Sequence, residues 1–189
     1  MPNNRPFIVG IGGTTRPGSS SEQALTIALR HAEELGAETR MLCGRDLVLP
    51  LYEPETEGRV EGVQKLSECL RRADGIIVSS PCYHGAISGL IKNALDYVED
   101  MRGDQRPYFD GRAVGVIGCG AGSQGPSMVL VELRSIVHAL RGWPVPLGVA
   151  VNTMVTKFQD GRCTDPAIEN QLKIMAGQVV AFAQRQAAA

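Results

Sequence analysis

Two polar loops hold the residues of this chain best placed to do chemistry. The first, Gly12 to Ser21, presents Thr14, Thr15, Arg16 and three consecutive hydroxyls, Ser19, Ser20 and Ser21, ahead of an apolar-periodic run. Hydroxyls, backbone amides and the positive end of a helix dipole favour an anion, and one arginine suits a phosphate monoester. Glu22 and Gln23 stand three residues after Ser19 and Ser20, so the same segment also reads as a capping box in either register. The second loop follows an apolar run and carries Pro81, Cys82, Tyr83, His84 and Gly85. An aromatic ring beside backbone donors suits a planar heterocycle. A phosphate tail and a planar head are the two ends of a flavin mononucleotide, FMN.

Near-misses narrow the chemistry. Gly13 and Gly18 have the spacing of a triphosphate-binding P-loop, but Ser19 stands at the lysine position. Gly10 and Gly12 begin a dinucleotide fingerprint that Thr15 breaks. A complete G-x-G-x-x-G occurs at Gly120, Gly122 and Gly125, with no acidic residue about twenty positions onward to hold a ribose. Gly118, Gly120, Ala121 and Gly122 then read either as a plain connection or as a loop whose missing side chains admit a ring. No histidine–carboxylate cluster predicts a metal. Cys82 beside His84 is poor ground for a nucleophilic dyad. Lys92 and Asp96, four apart, read as a surface pair. No catalytic side chain is expected, because a flavin carries its own reactivity.

The elements that must position these loops alternate along the chain. Strands are predicted over Phe7 to Ile11, Thr39 to Cys43, Gly75 to Ser79, Ala113 to Gly118 and Val145 to Val151. The helical pattern of Ala24, Leu25, Ala28, Leu29, Ala32 and Leu35 stops at Gly36. Further helices are predicted over Val60 to Ala73, Ser88 to Met101, about Met128 to Leu140, and Ala167 to Gln186. This is an α/β pattern: one domain over residues 1–189, an open five-stranded parallel sheet in the order 2-1-3-4-5, helices on both faces. Ligands in such sheets bind beyond the carboxyl ends of the strands, where the order reverses, and both polar loops lie there. Arg45 to Gly62 and Asp100 to Gly111 are the longest irregular stretches, of a length often tied to function.

Composition excludes other classes. A net charge of -1 over 189 residues leaves no electrostatic footprint for nucleic acid or anionic lipid. No apolar run is long enough to span a bilayer, and the polar start, Met1 to Pro6, predicts no signal peptide. Five scattered cysteines without a Cys-x-x-Cys pair favour a reducing, cytoplasmic setting over a disulfide frame or a zinc site. Val129, Val131, Leu133, Ile136 and Val137 make one helix apolar over more than one face, as burial against a second subunit or inside the domain would require.

On these motifs the chain resembles the NADPH-dependent FMN reductase family of flavodoxin-like proteins. The family's first loop runs G-S-x-R-x-x-S, where this chain has Gly13 to Ser19 with Thr14 keeping the hydroxyl. Its second motif is matched by Pro81, Tyr83, Gly89, Lys92, Asn93, Ala94, Asp96 and Tyr97, with Ser88 standing later than the motif's serine. The resemblance implies FMN phosphate at Thr14, Arg16, Ser19 and Ser21, the isoalloxazine along Pro81 to Gly85, and its other edge near Gly118 to Gly122. It implies electron flow from NADPH through FMN to a flavin, quinone or similar small acceptor, in a homodimer or homotetramer. His84 stands where many members have asparagine. Ile87 stands where members that feed a partner oxygenase carry an extra aromatic. The competing reading is a flavodoxin-type electron carrier with no NAD(P)H oxidation of its own, which a net charge of -1 disfavours.

Overall fold

The structure is a computed structural model describing residues 5–188; residues 1–4, part of the polar start, and residue 189 lie outside the described residues. Strands β1 (Phe7–Gly12), β2 (Glu38–Cys43), β3 (Gly75–Tyr83) and β5 (Ala113–Gly120) run parallel in the order β2-β1-β3-β5. The last place in the sheet is shared by β6 (Trp143–Pro144) and β7 (Val149–Asn152), both parallel to β5. The order 2-1-3-4-5 is therefore the one observed.

Alternation along the strands divides the core. Phe7, Val9, Ile11, Ile76, Val78, Val114 and Val116 point to the face covered by α2 (Glu61–Arg72), α3 (Gly89–Asp96) and α4 (Gln124–Ala139). Ile8, Ile77, Ile117, Val149 and Val151 point to the face covered by α1 (Ser20–Glu34) and α5 (Pro166–Ala187). Burial on both faces is why these strands read as continuous apolar runs.

Four predictions are corrected. The third strand does not end at Ser79. It runs on through Pro81 to Tyr83 and turns back into β4 (Ala86–Ile87), pairing Cys82 with Ile87 and Tyr83 with Ala86. The turn residues His84 and Gly85 have φ of 53° and 89°, the two positive values a tight I′ hairpin requires. The fifth strand is interrupted, because Pro144 and Pro146 bracket Val145 and cannot donate to a ladder. The third helix is α-helical only to Asp96 and tightens to a 3₁₀ turn over Tyr97–Met101. The fourth helix starts four residues early, at Gln124, with Pro126 in its first turn, where a missing N–H costs nothing.

The two long irregular stretches are fastened rather than free, and neither lines the cleft described below. Asn93 accepts from Tyr52 N at 2.9 Å and donates to Pro50 O at 2.8 Å, and Tyr97 Oη donates to Pro50 O at 3.0 Å. Arg59 lies 5.2 Å from the ring centres of both Tyr52 and Tyr97 and grips Asp100 through two bonds of 2.8 and 2.7 Å. Asn93 and Tyr97, both in the second motif, thus serve the loop after β2.

Candidate functional site

The carboxyl ends of β1, β3, β5 and β7 open into a cleft of about 470 Å³. One end is polar. Thr14, Thr15, Arg16, Ser19, Ser20 and Ser21 line it, and Arg16 is the one charged side chain in the whole lining. Ser19 is the N-cap of α1: its Oγ accepts from Glu22 N at 3.3 Å. The capping box thus takes the Ser19–Glu22 register, but its return bond is shifted, since Glu22 Oε2 accepts from Gly18 N at 2.9 Å. Gln23 donates to Gly18 O at 2.7 Å instead of capping. With Ser19 committed to the cap, Ser20 and Ser21 stand at N1 and N2, whose N–H groups have no intrahelical partner. Ser79 fixes this turn from below by donating its hydroxyl to Ser21 O at 2.8 Å. β1 comes within reach because Gly12 has no side chain: a Cβ there would sit 2.8 Å from Leu25 and 2.9 Å from Ser79.

The other end is less polar. Pro81, Cys82 and Tyr83 line it from β3, and Cys119, Gly120 and Ala121 from the end of β5. Tyr83 is 54% exposed on the hairpin. Two bonds hold that hairpin. Ser80 Oγ accepts from Ser88 N at 3.0 Å, and Glu132 of α4 accepts from Ile87 N at 2.7 Å.

The structure thus brings together Thr14, Arg16, the three serines, Pro81, Cys82, Tyr83, Gly120 and Ala121. It does not place His84, Gly85, Gly118 or Gly122 in the lining. His84 and Gly85 form the exposed hairpin turn. Gly118 is buried in β5, where a Cβ would collide with Pro126 O and lie 3.1 Å from Val129, so its missing side chain seats α4. Gly120 and Gly125 make room for Cys82, whose Cβ and Sγ would lie 3.0 and 2.8 Å from side chains there. Gly122 N instead donates to Asn152 Oδ1 at 3.0 Å, tying the loop after β5 to the end of β7. The glycines therefore chiefly admit the chain itself.

Thr153 lines the cleft and escaped sequence reasoning. Its signal was positional: it directly follows the last parallel strand, at the end of the sheet where ligands bind. No group of three or more histidine, cysteine, aspartate or glutamate side chains among the described residues is placed to hold a metal. No described helix is long and apolar enough to cross a membrane.

Cys119 lies at the cleft floor, and burial pushes its thiol up to about 12 against an ordinary 9.0. It is a neutral thiol at physiological pH, so it brings no negative charge toward an anion. The unfolded chain loses this proton near pH 9 while the folded chain keeps it. The associated stability is complete below pH 9 and lost as pH climbs toward 12, at up to about 1.4 kcal/mol per pH unit. Urea midpoints from pH 7 to 11 are expected to fall more steeply for the native chain than for Cys119→Ala. Parallel profiles would show that the thiol ionises freely.

A family model described as NADPH-dependent FMN reductase matches residues 6–156. FMN-dependent NADPH-azoreductase of Staphylococcus aureus is 32% identical over 132 residues, 68% of this chain and 66% of that protein. The match therefore spans just under two thirds of those relatives. Among solved structures, a flavoenzyme NAD(P)H:(acceptor) oxidoreductase from Paracoccus denitrificans superposes with a TM-score of 0.76 at 19% identity, covering 96% of this chain and 98% of that one. An apo NADH:FMN oxidoreductase gives 0.70 at 18% identity, covering 95% and 89%. A WrbA-like flavodoxin from Agrobacterium tumefaciens gives 0.64 at 16% identity, covering 96% and 99%. At these identities the structural likenesses establish the fold alone, which is flavodoxin-like.

Proposed function

The chain belongs to the NADPH-dependent FMN reductase family, and from that premise we propose that it is an oxidoreductase moving electrons from NADPH through FMN to a small acceptor. One observation carries the reading most. The cleft has a hydroxyl-rich end holding its one charged side chain, a cation, and a less polar end walled by Pro81 and Tyr83. A phosphate-tailed, planar-headed ligand matches that division, so the residues present fit FMN.

Bound FMN would supply hydride acceptance from a reduced nicotinamide and electron donation to a second substrate. Arg16, the Thr14, Thr15 and Ser20 hydroxyls, and the N–H groups of Ser20 and Ser21 would hold the phosphate, aided by the α1 dipole. Ser19 contributes by capping the helix that presents them. Pro81, Cys82 and Tyr83 would bear the ring on one side, and Gly120 and Ala121 would border it on the other. The exposed half of Tyr83 leaves room for a nicotinamide or an acceptor to enter from solvent. A flavin, a quinone or an azo compound would fit such an open face. The chain itself needs no general base, in keeping with a cleft lined by no histidine and no carboxylate.

A homodimer or homotetramer is the assembly we infer. Val129, Leu133 and Val137 are core residues of α4 and Ile136 packs against that core, which accounts for four of the five residues named from the sequence. Val131, 64% exposed, and Met128 face outward and are what a second subunit would cover. Five free cysteines fit a reducing cytoplasm.

The test is direct. Purified chain incubated with FMN and desalted is expected to be yellow, and to oxidise NADPH continuously under anaerobic conditions when a quinone or azo dye is supplied. Protein that stays yellow but oxidises no reduced nicotinamide would be an electron carrier. Protein that retains no FMN, and does not quench its fluorescence, would end the proposal.

A further inference from the structure

A second cavity, of about 580 Å³, lies at the opposite end of the sheet, between its outer edge and α5. Its floor includes Ala113, the first residue of β5, whereas the cleft meets β5 at Gly120. At ~3.3 Å per residue, about 23 Å of strand separates them. The walls are apolar: Trp143 and Val145 on the strand side, Ile174 and Phe182 on the helix side. The Trp143 and Phe182 rings are 6.5 Å apart and tilted by 36°. Trp143 is 59% exposed, a large apolar surface left in water at the mouth of a concave site.

The backbone of this edge is closed to another strand. Trp143 N and Val145 N point inward, donating to Arg112 O at 2.9 Å and Val114 O at 3.0 Å. The intervening outward positions are Pro144 and Pro146, which have no N–H to offer. Pro146 O already accepts from Arg134 Nη2 at 2.8 Å. An extended peptide or the edge of a second copy therefore finds no donor row here. What remains is an apolar slot with one cation, Arg185, and no carboxylate in its lining. The Arg185 guanidinium pairs with no carboxylate among the described residues.

We propose that this cavity binds a small amphipathic organic anion, its apolar body between Trp143, Ile174 and Phe182 and its anionic head on Arg185. The volume falls in the roughly 300–1,000 Å³ of small-molecule sites, and apolar walls with a few polar groups are their usual make-up. The Gln178 carbonyl is engaged elsewhere, accepting from Leu147 N at 3.1 Å, so it does not compete with the head for Arg185. The site is independent of the cleft and of the redox reading.

Trp143 is the chain's one tryptophan, so its emission reports on this cavity. The probe is decanoate, below its micelle concentration, added to the full-length FMN-loaded chain. A saturable blue shift is expected. Arg185→Gln is expected to raise the decanoate Kd about tenfold, as loss of one charge-assisted contact would, and to leave the decanol Kd unchanged. Ala181→Leu, which fills the slot from α5, is expected to abolish both responses. No shift with decanoate, or equal changes for decanoate and decanol in Arg185→Gln, would overturn the proposal. So would emission that moves with protein concentration alone, because a second copy would then be the occupant. Flavin absorbance in the same samples reads the cleft separately, so failure of either site is distinguishable from failure of the other.

Discussion

Arg112→Met is expected to cost the fold about 3–5 kcal/mol, the low end of what four buried carbonyls left without a donor would cost at about 1–3 kcal/mol each. Arg112 is 1% exposed, and among the described residues its guanidinium makes hydrogen bonds to no carboxylate. Backbone carbonyls serve instead. Nε donates to Ala73 O at 2.9 Å, Nη2 to Arg71 O at 3.0 Å, and Nη1 to Tyr108 O at 3.0 Å and Asp110 O at 3.3 Å. Two of these acceptors lie at the carboxyl end of α2, where the helix dipole welcomes a cation. Burial lowers the guanidinium to about 10, so it remains charged at neutral pH. Methionine keeps the stem but strands four carbonyls. Summing about 1–3 kcal/mol for each would overshoot, because some will find water after small shifts. Arg112→Lys is expected to recover less than half the loss, since one ammonium cannot span four acceptors from two segments. Urea denaturation reads both variants. The cleft lies at the other end of the sheet, so FMN affinity of the folded fraction should not change. A loss below about 1 kcal/mol would mean that these carbonyls are already hydrated.

Arg112 also marks the boundary of what the chain discloses before it is folded. Periodicity exposes elements that are buried on both faces or amphipathic, which is why the strand order and all five helices were legible. It says nothing about a polar side chain that becomes structural by meeting distant carbonyls, here from residues 71 to 110. Prolines misled in opposite directions. Pro81 reads as a loop residue beyond a strand ending at Ser79, yet it extends β3, its missing N–H leaving the pairing with Cys119 of β5 in place. Pro146 reads as part of a strand over Val145 to Val151, yet with Pro144 it splits the last strand. A short hairpin, β8 (Phe158–Gln159) with β9 (Arg162–Cys163), was missed although Asp160-Gly161 is a strong I′ signal. Its strands are two residues long, too short for an alternation to show.

The candidate site was legible in part, for a related reason. Hydroxyls and an arginine at a helix start point to an anion because the helix itself creates the field. Glycines carry no such signature. Gly118, Gly120 and Gly125 resemble a ligand loop, but what presses against them is Pro126, Val129 and Cys82. Only the folded chain reveals which neighbour fills the space a missing Cβ leaves. Ser79 and Ser80 tell the same story. Both are fully buried hydroxyls at the end of an apolar run, and their partners, Ser21 O and Ser88 N, lie 58 and 8 residues away.

Arg16→Ala combined with Ser20→Ala is expected to weaken FMN binding by about two to three orders of magnitude and to change riboflavin binding by less than about threefold. The magnitude follows from a charge-assisted bond worth ~1.5–3 kcal/mol and a neutral one worth ~1, at 1.4 kcal/mol per decade of Kd. The choice of residues matters. Ser19 caps α1 and its Oγ lies 3.4 Å from Ser21 Oγ, so its loss would disturb the helix start and blur the result by about 1 kcal/mol. Ser20 caps nothing, and the exposed Arg16 can be removed without uncovering a core. Salt supplies an independent axis: FMN affinity of the native chain should fall with ionic strength, and that of the double variant much less. Fluorescence quenching of each flavin, at low and high salt, reads all of this. Equal losses for FMN and riboflavin would place the phosphate elsewhere, because only a group touching the tail can tell the two ligands apart.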